Sequence, residues 1–187
     1  MKVTREQMAE HRRKILDAAA RLFRAHGFEA VTVAEVMQAA GLTHGGFYGH
    51  FKSKDELIAE TIGHVLAGTA ESLEPAAYAG GYLSARHRDN LSGGCPFAGL
   101  GAETIRQTPE ARAAMTAGLK RHLAALTRGA PGATAAAKRR AAIGSWSAMV
   151  GALILSRFSD DPKLSDELLK ETRAWIAKGE KAAKARA

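Results

Sequence analysis

Two short helices joined by a tight turn are predicted between Thr32 and Lys54. Thr32 and Glu35 have the spacing of a capping box. In such a box the threonine hydroxyl accepts from the backbone N–H three residues on, and the glutamate carboxylate reaches back. A helix is therefore predicted to start at Val33. Apolar residues recur after it at the spacing of one buried helical face, and Gly41 follows where a chain leaving a helix turns through the left-handed conformation.

A second short helix is predicted directly after this turn. Thr43 is placed to cap it, and Phe47 and Phe51 are four residues apart, so both are expected to face inward. Two short helices joined by a glycine-containing turn are the parts of a helix-turn-helix. The opposite face then carries small and hydrogen-bonding residues, namely Thr43, His44, Gly45, Gly46, Tyr48, Gly49 and His50. No carboxylate occurs from Val36 through Lys54, as expected of a surface that approaches phosphates.

The order and spacing of these residues resemble the amino-terminal DNA-binding domain of the tetracycline-repressor (TetR/AcrR) family of bacterial transcriptional regulators. The matching motifs are L-F and G-F within residues 22–28, T-V-x-x-V over residues 32–36, and A-G-L-T-x-x-x-x-Y-x-H-F-x-S-K-x-x-L over residues 40–57. The spacing and the residue types agree across three consecutive predicted helices. The resemblance is confined to the amino-terminal part of the chain and says little about the rest.

The resemblance implies an all-α fold of about nine helices. A three-helix, helix-turn-helix DNA-binding domain is expected over residues 1–53. A helical effector-binding and dimerisation domain is expected over residues 54–187. Such a protein reads a palindromic operator in double-stranded DNA as a homodimer, because a twofold protein matches a twofold site.

The resemblance also implies which residues contact DNA: Thr32, Thr43, His44, Gly45, Gly46, Tyr48, His50 and Lys54. Tyr48, His50 and Lys54 match positions that contact phosphates in the family. The two threonines cap helices and can also donate to the DNA backbone. Base reading is expected of His44, and the two glycines after it allow a close approach of the DNA.

Composition agrees with this interpretation. The chain has 187 residues, a net charge of +8 and a pI near 9.9, which favour nucleic acid or, second, an anionic membrane as partner; solubility alone also explains such a charge. No secretory signal and no run of 18 apolar residues occur, which predicts a cytoplasmic protein without a membrane partner. No metal, nucleotide or nucleophile motif occurs, so neither a cofactor nor an enzymatic activity is expected.

The remaining sequence predicts further helices over residues 5–26, 54–73, 78–87, from 96, over 109–128, over 135–157 and from 166. Pro75 is expected to end the helix that begins at Lys54, and Ser165 is expected to cap the last helix. The last two helices are amphipathic. They can bury each other within one chain, or pair with their copies in a second subunit as a four-helix bundle; the resemblance implies the second arrangement.

Cys95 is the one cysteine of the chain and precedes a predicted helix that opens with Pro96. A thiol at a helix start is close to free N–H groups, which favour the reactive thiolate. The segment G-G-C-P-F-A-G-L-G-A-E resembles one in some TetR-like regulators that sense reactive compounds. The alternative is that Cys95 fills the helix start as a small apolar residue.

A small-molecule effector cavity among the middle helices is also implied by the resemblance. The candidate lining residues are Tyr78, Tyr82, Cys95, Phe97, Met115, His122, Trp146, Met149 and Phe158. Aromatic and methionine residues at helical spacing are equally typical of a simple core, which leaves both interpretations open. The expected protein is a ligand-responsive repressor, and the alternative is an architectural DNA-binding protein that binds without sequence preference or ligand response.

Overall fold

The computed structural model describes residues 4–68 and 72–185. Within those residues every regular element is helical, which confirms the all-α prediction. The elements are α1 (Arg5–His26), α2 (Val33–Ala39), a 3-10 helix (His44–Gly49), α3 (Lys54–Val65), α4 (Pro75–Tyr82), α5 (Ala85–Asp89), α6 (Pro96–Thr104), α7 (Pro109–Gly129), α8 (Ala135–Phe158) and α9 (Pro162–Lys184).

The chain divides into two compact units. The first is Met1–Ala67 with Cys95–Gly118, and the second is Gly68–Gly94 with Leu119–Ala187. In the first unit, α1 packs against α2, α3 and α6. In the second unit, α8 packs along α9, and α4 packs against both. The DNA-binding domain is predicted to end at residue 53. Both α3 and α6 come after this residue in the sequence, but they pack with the amino-terminal helices.

Aromatic side chains fill the core of the first unit. Phe23, Phe28, Phe47 and Phe51 are almost fully buried, and the rings of Phe23 and Phe28 meet edge to face with centroids 5.3 Å apart. Burying such a side chain contributes about 1.5–3 kcal/mol. Gly27 lies between Phe23 and Phe28 with a φ of 83°, and this conformation turns the chain after α1 so that Phe28 returns to the core.

The second unit is built around α8 and α9. Trp146, Met149 and Leu153 of α8 are buried, as are Leu169 and Ile176 of α9. Among the described residues, α8 has the length and apolar composition of a membrane span. A helix packed on one side against a neighbouring helix has the same composition, and α8 is packed in this way.

The second helix of the predicted helix-turn-helix is a 3-10 helix rather than an α-helix. Three of its six residues, Gly45, Gly46 and Gly49, are glycines, which disfavour the α-helix by about 1 kcal/mol each relative to alanine. Thr43 precedes it in an extended conformation but makes no side-chain cap hydrogen bond, contrary to the predicted cap. The inward placement of Phe47 is confirmed.

Two predicted helix boundaries are wrong. α3 ends at Val65 rather than near residue 73, and Pro75 begins α4 instead of ending the earlier helix. Proline at the first helical position costs no hydrogen bond, because that N–H has no partner within the helix. Residues 69–71 of the predicted helix lie outside the described residues.

The last helix also begins earlier than predicted. α9 starts at Pro162, and Asp161 is its cap, since the Asp161 carboxylate accepts from the N–H groups of Lys163 and Leu164. Ser165, the predicted cap, lies inside the helix. Its buried hydroxyl donates to the carbonyl oxygen of Ser156 at 2.7 Å, which links α9 to α8.

Candidate DNA-binding site

The 3-10 helix has one buried and one exposed face. Phe47 is 1% exposed and stacks on Phe51 with ring centroids 5.7 Å apart. Tyr48, the next residue, is 71% exposed. His44 and Gly45 at the start of the same helix are also exposed, as is Thr43 before it. Because the Phe47 ring is fixed in the core, its neighbours in the sequence point outward.

The turn before the 3-10 helix is built as predicted. Gly41 has a φ of 71°, and the Leu42 N–H donates to the carbonyl oxygen of Met37 at 2.9 Å. Leu42 is half-buried against the core of the first unit. The left-handed glycine lets the chain reverse between α2 and the 3-10 helix without strain.

The capping box of α2 is confirmed. The Thr32 hydroxyl accepts from the Glu35 N–H at 3.2 Å, and the Glu35 carboxylate accepts from the Thr32 N–H at 2.7 Å and from its hydroxyl at 2.8 Å. The hydrogen bonds from the Thr32 backbone and side chain lower the pKa of Glu35. The hydroxyl proton of Thr32 is thus directed to Glu35 and not to solvent.

His50 and Lys54 lie just after the 3-10 helix, and Lys54 begins α3. His50 is half-buried, with its ring centroid 6.1 Å from that of His11 in α1. Burial lowers the pKa of His50, and the positive charges of His11 and Arg12 act in the same direction. Lys54, at the first position of α3, donates through Nζ to the carbonyl oxygen of Glu29 at 3.4 Å.

Arg12 of α1 reaches this segment although the helical periodicity of α1 places it outside the core. Its guanidinium donates to the carbonyl oxygen of His50 and to the carboxylate of Glu60 in α3. The same group lies 4.3 Å from the centroid of the Phe51 ring. His50 and Glu60 follow Arg12 by 38 and 48 positions in the sequence, so no local sequence signal indicates these contacts.

The predicted effector residues fall into separate groups. In the second unit, Tyr78, Tyr82, His122 and Trp146 form an aromatic cluster: His122 and Trp146 are 4.0 Å apart between ring centroids, and Tyr82 and Trp146 are 5.2 Å apart. Tyr78 lies 5.6 Å from His122. Burial lowers the pKa of His122, which favours a neutral imidazole inside this cluster.

The other predicted effector residues lie elsewhere. Phe97 and Met115 pack against the core of the first unit, and Met149 is fully buried in the second unit. Phe158 at the end of α8 is exposed. A cavity of about 400 Å³ in the second unit is lined by none of the predicted residues but by parts of α4, α8 and α9, including Arg140, Trp175 and Glu180.

Cys95 precedes α6 as predicted, and Pro96 occupies the first position of that helix. The thiol is buried and makes no side-chain cap hydrogen bond to α6. Arg24 of α1 is close enough to interact electrostatically with Cys95. Burial lowers the pKa of Arg24, and the neighbouring Cys95 opposes this effect.

Known proteins similar in sequence to this chain match it over the segment that contains the helix-turn-helix. Residues 15–61 match the family described as bacterial regulatory proteins, tetR family. The regulator AcrR of Shigella flexneri is 42% identical over 57 residues, which are 30% of this chain and 26% of that protein. The repressor Rv1474c of Mycobacterium tuberculosis is 41% identical over 57 residues, 30% of each chain. The matched segment therefore spans less than a third of these relatives.

Solved structures resemble the whole fold. The reduced form of Escherichia coli NemR superimposes with a TM-score of 0.73 at 19% identity, covering 89% of this chain and 94% of that one. A TetR-family regulator from Agrobacterium tumefaciens superimposes with a TM-score of 0.70 at 19% identity, covering 91% and 98%. At these identities the likeness shows the fold alone. Residues 15–61 thus form a helix-turn-helix domain of the tetR family of bacterial regulatory proteins.

Proposed function

We propose that this chain is a cytoplasmic, sequence-specific repressor that reads DNA with the exposed face of its 3-10 helix. The observation that carries this proposal is the contrast between two adjacent aromatic residues. Phe47 is buried, whereas Tyr48 presents its ring and hydroxyl to solvent. Tyr48 is a large aromatic side chain with a polar end, it lies beside glycines, and the segment carries no carboxylates. These features are typical of a surface that contacts phosphates and base edges.

The residues of this face divide into two roles. His44, at the amino-terminal end of the 3-10 helix, is exposed and is assigned to base reading in the major groove, with Gly45 and Gly46 allowing close approach. Tyr48, His50 and Lys54 are assigned to phosphates. Thr43 adds a hydroxyl that is free of helix capping. Thr32 is assigned to the DNA backbone as well, and this contact requires the Thr32 hydroxyl to leave the hydrogen bond that it donates to Glu35 in the free chain.

A homodimer through α8 and α9 completes the proposal. Large apolar side chains of both helices are exposed in the single chain: Ile143, Ile154, Leu155 and Phe158 on α8, and Leu164 and Trp175 on α9. Exposed apolar side chains concentrated on two adjacent helices are typical of a protein interface. A four-helix bundle made with a second copy removes them from water and gives the twofold symmetry that a palindromic operator requires.

Release by an effector is the remaining part of the proposal. The aromatic cluster around Trp146 is the candidate for an apolar or aromatic small molecule. Cys95 at the start of α6 is the candidate for a thiol-reactive compound. The nearby Arg24 guanidinium supports the thiolate form, whereas burial of the thiol opposes it. Loss of operator binding after mild electrophile treatment, absent in Cys95→Ser, supports the thiol route; equal loss in both proteins rejects it.

Selection of bound duplexes from a random DNA pool tests the proposed function. The expected product is one palindromic sequence with two half-sites about 10 base pairs, or a multiple of a helical turn, apart. Recovery of unrelated sequences that bind as well as the starting pool at physiological salt contradicts the proposal and favours an architectural DNA-binding protein.

A further inference from the structure

We propose that Arg12 is a positioning residue that holds the carboxy-terminal end of the 3-10 helix in its DNA-reading orientation. This inference rests on the proposed function. The Arg12 guanidinium meets three groups at once: the carbonyl oxygen of His50, the carboxylate of Glu60 and the face of the Phe51 ring. It thereby joins α1, the segment just after the 3-10 helix, and α3.

The 3-10 helix needs such external support. It has six residues, half of them glycines, and it lacks a side-chain cap from Thr43. Short 3-10 helices have poor hydrogen-bond geometry, and carbonyl groups at a helix end have no partner inside the helix. The carbonyl of His50 is one of these groups, and Arg12 supplies it with a charged donor.

A guanidinium is suited to this arrangement and an ammonium is not. The planar group has five N–H donors in a fixed fork, so two nitrogens can serve two acceptors while the flat face lies on an aromatic ring. Lysine carries the same charge as a point, without the fork or the flat face. Arg12→Lys therefore keeps the charge and removes the geometry.

Direct contact between Arg12 and a DNA phosphate is the competing role. The structure favours positioning, because the charge of Arg12 is paired with Glu60 and the side chain is only 34% exposed. Arg13, the next residue of α1, is 63% exposed and makes a longer, 3.5 Å ion pair with Asp17. It serves as a matched control for a basic side chain on the surface of the same helix.

A second control separates local positioning from the general packing of α1 on α3. His64 of α3 lies 2.7 Å from the carboxylate of Asp17 in α1, so this pair bridges the same two helices as Arg12 and Glu60. It does not involve the 3-10 helix. His64→Gln removes one link between α1 and α3 and leaves the support of His50 in place.

The test measures affinity for the selected operator and for random duplex across a range of salt concentrations. The proteins are the full-length chain, Arg12→Gln, Arg12→Lys, Arg13→Gln and His64→Gln, each compared at a temperature where thermal unfolding shows it to be folded. Both Arg12 variants are expected to lose operator affinity by about tenfold to a hundredfold, the range for one lost hydrogen bond to a charged group. Random-duplex affinity is expected to change less, and the salt dependence is expected to stay the same.

Other outcomes overturn the inference. If Arg12 contacts a phosphate, Arg12→Gln lowers the slope of log K against log salt by about 0.9, and Arg12→Lys restores binding. If Arg12 only stabilises the fold, His64→Gln and Arg12→Gln lower operator affinity alike, or neither does. Failure of the unmodified chain to prefer any sequence refutes the proposed function itself, which distinguishes the two failures.

Discussion

The Glu103 carboxylate in α6 accepts a hydrogen bond from the backbone N–H of Phe28 at 2.7 Å. The same carboxylate lies over Gly27, where a Cβ would meet its Oε1 at 2.6 Å. Gly27 also has a φ of 83°, which side chains of other residues rarely adopt. A residue 75 positions away in the sequence thus fixes the turn after α1, directly before the helix-turn-helix.

Gly27→Ala is expected to destabilise the protein by about 1–3 kcal/mol, because the new methyl group meets Glu103 and the positive φ is strained. Gly63→Ala in α3 is the control. Nothing lies within 4 Å of a Cβ there, and replacing glycine inside a helix by alanine is expected to stabilise by about 0.5–1 kcal/mol. Urea unfolding of both variants measures these changes. Equal effects of the two substitutions contradict the assigned role of the Glu103 contact.

Thr61→Val is expected to stabilise the first unit. Thr61 is fully buried in α3, and within the described residues its hydroxyl has no hydrogen-bond partner. A buried hydroxyl without a partner costs about 1–3 kcal/mol, and valine has nearly the same shape without that cost. Thr104→Val is the matched control, because the Thr104 hydroxyl donates to the carbonyl oxygen of Leu100 at 2.7 Å.

Thermal unfolding of the two variants compares them directly. The melting temperature is expected to rise for Thr61→Val, and to stay unchanged or fall for Thr104→Val, which loses a hydrogen bond as well as a hydroxyl. A lower melting temperature for Thr61→Val shows that the hydroxyl is satisfied in solution.

Stability is expected to fall when the pH is lowered from 7.5 to 5.5. Burial lowers the pKa of His122 below 6.5, so below pH 6.5 the unfolded chain binds a proton that the folded chain does not. The contribution of neutral His122 is therefore fully present above pH 6.5 and is lost as the pH falls toward the folded pKa. His50, whose pKa is lowered as well, adds to the same trend.

Urea unfolding at several pH values, with His122→Gln beside the unmodified chain, isolates this contribution. The variant cannot titrate at that position, so its stability is expected to depend less on pH over this window. An identical pH dependence in both proteins shows that His122 is protonated without cost in the fold.

Trp175→Glu is expected to abolish dimerisation without unfolding the chain. Trp175 is 63% exposed on α9, so a charged side chain is tolerated in the single chain but not in a closed four-helix bundle. Ile105→Glu is the control, because Ile105 is 72% exposed but lies outside α8 and α9. Sedimentation velocity distinguishes the outcomes. A Trp175→Glu protein that remains dimeric places the interface elsewhere.

Local signals in the sequence predicted much of the fold. The Thr32 to Glu35 box, Gly41 and Pro96 each act within a few residues, and the structure has a helix start or a turn where each predicts one. Competing local signals caused the errors. Pro75 predicts a helix end although proline also begins helices, and three glycines make the second helix of the motif a 3-10 helix.

Local sequence patterns do not predict contacts between residues that are far apart in the sequence. Helical spacing predicts that Phe97 and Trp146 face a core, but it does not say which core. The structure places Phe97 in the first unit and Trp146 in the aromatic cluster of the second. The roles of Arg12 and Glu103 were missed for the same reason, because each depends on a partner far away in the sequence.

Single substitutions on the exposed face of the 3-10 helix test which residues read bases and which contact phosphates. Tyr48→Ala is expected to weaken binding to all duplexes, because Tyr48 is the residue that we propose to contact a phosphate. His44→Ala is expected to relax preference at one or two base positions, with a smaller effect on random duplex. Binding assays on the operator and its single-base variants measure both. Equal losses on operator and random duplex for both variants contradict the assignment.

The most direct test of the central claim is the stoichiometry and affinity of the purified chain on the selected duplex, measured by analytical ultracentrifugation at physiological salt. Two chains per palindromic duplex are expected, with binding about a thousandfold or more tighter than to random DNA. One chain per duplex, or equal affinity for both DNAs, contradicts a twofold repressor that reads sequence through its 3-10 helix.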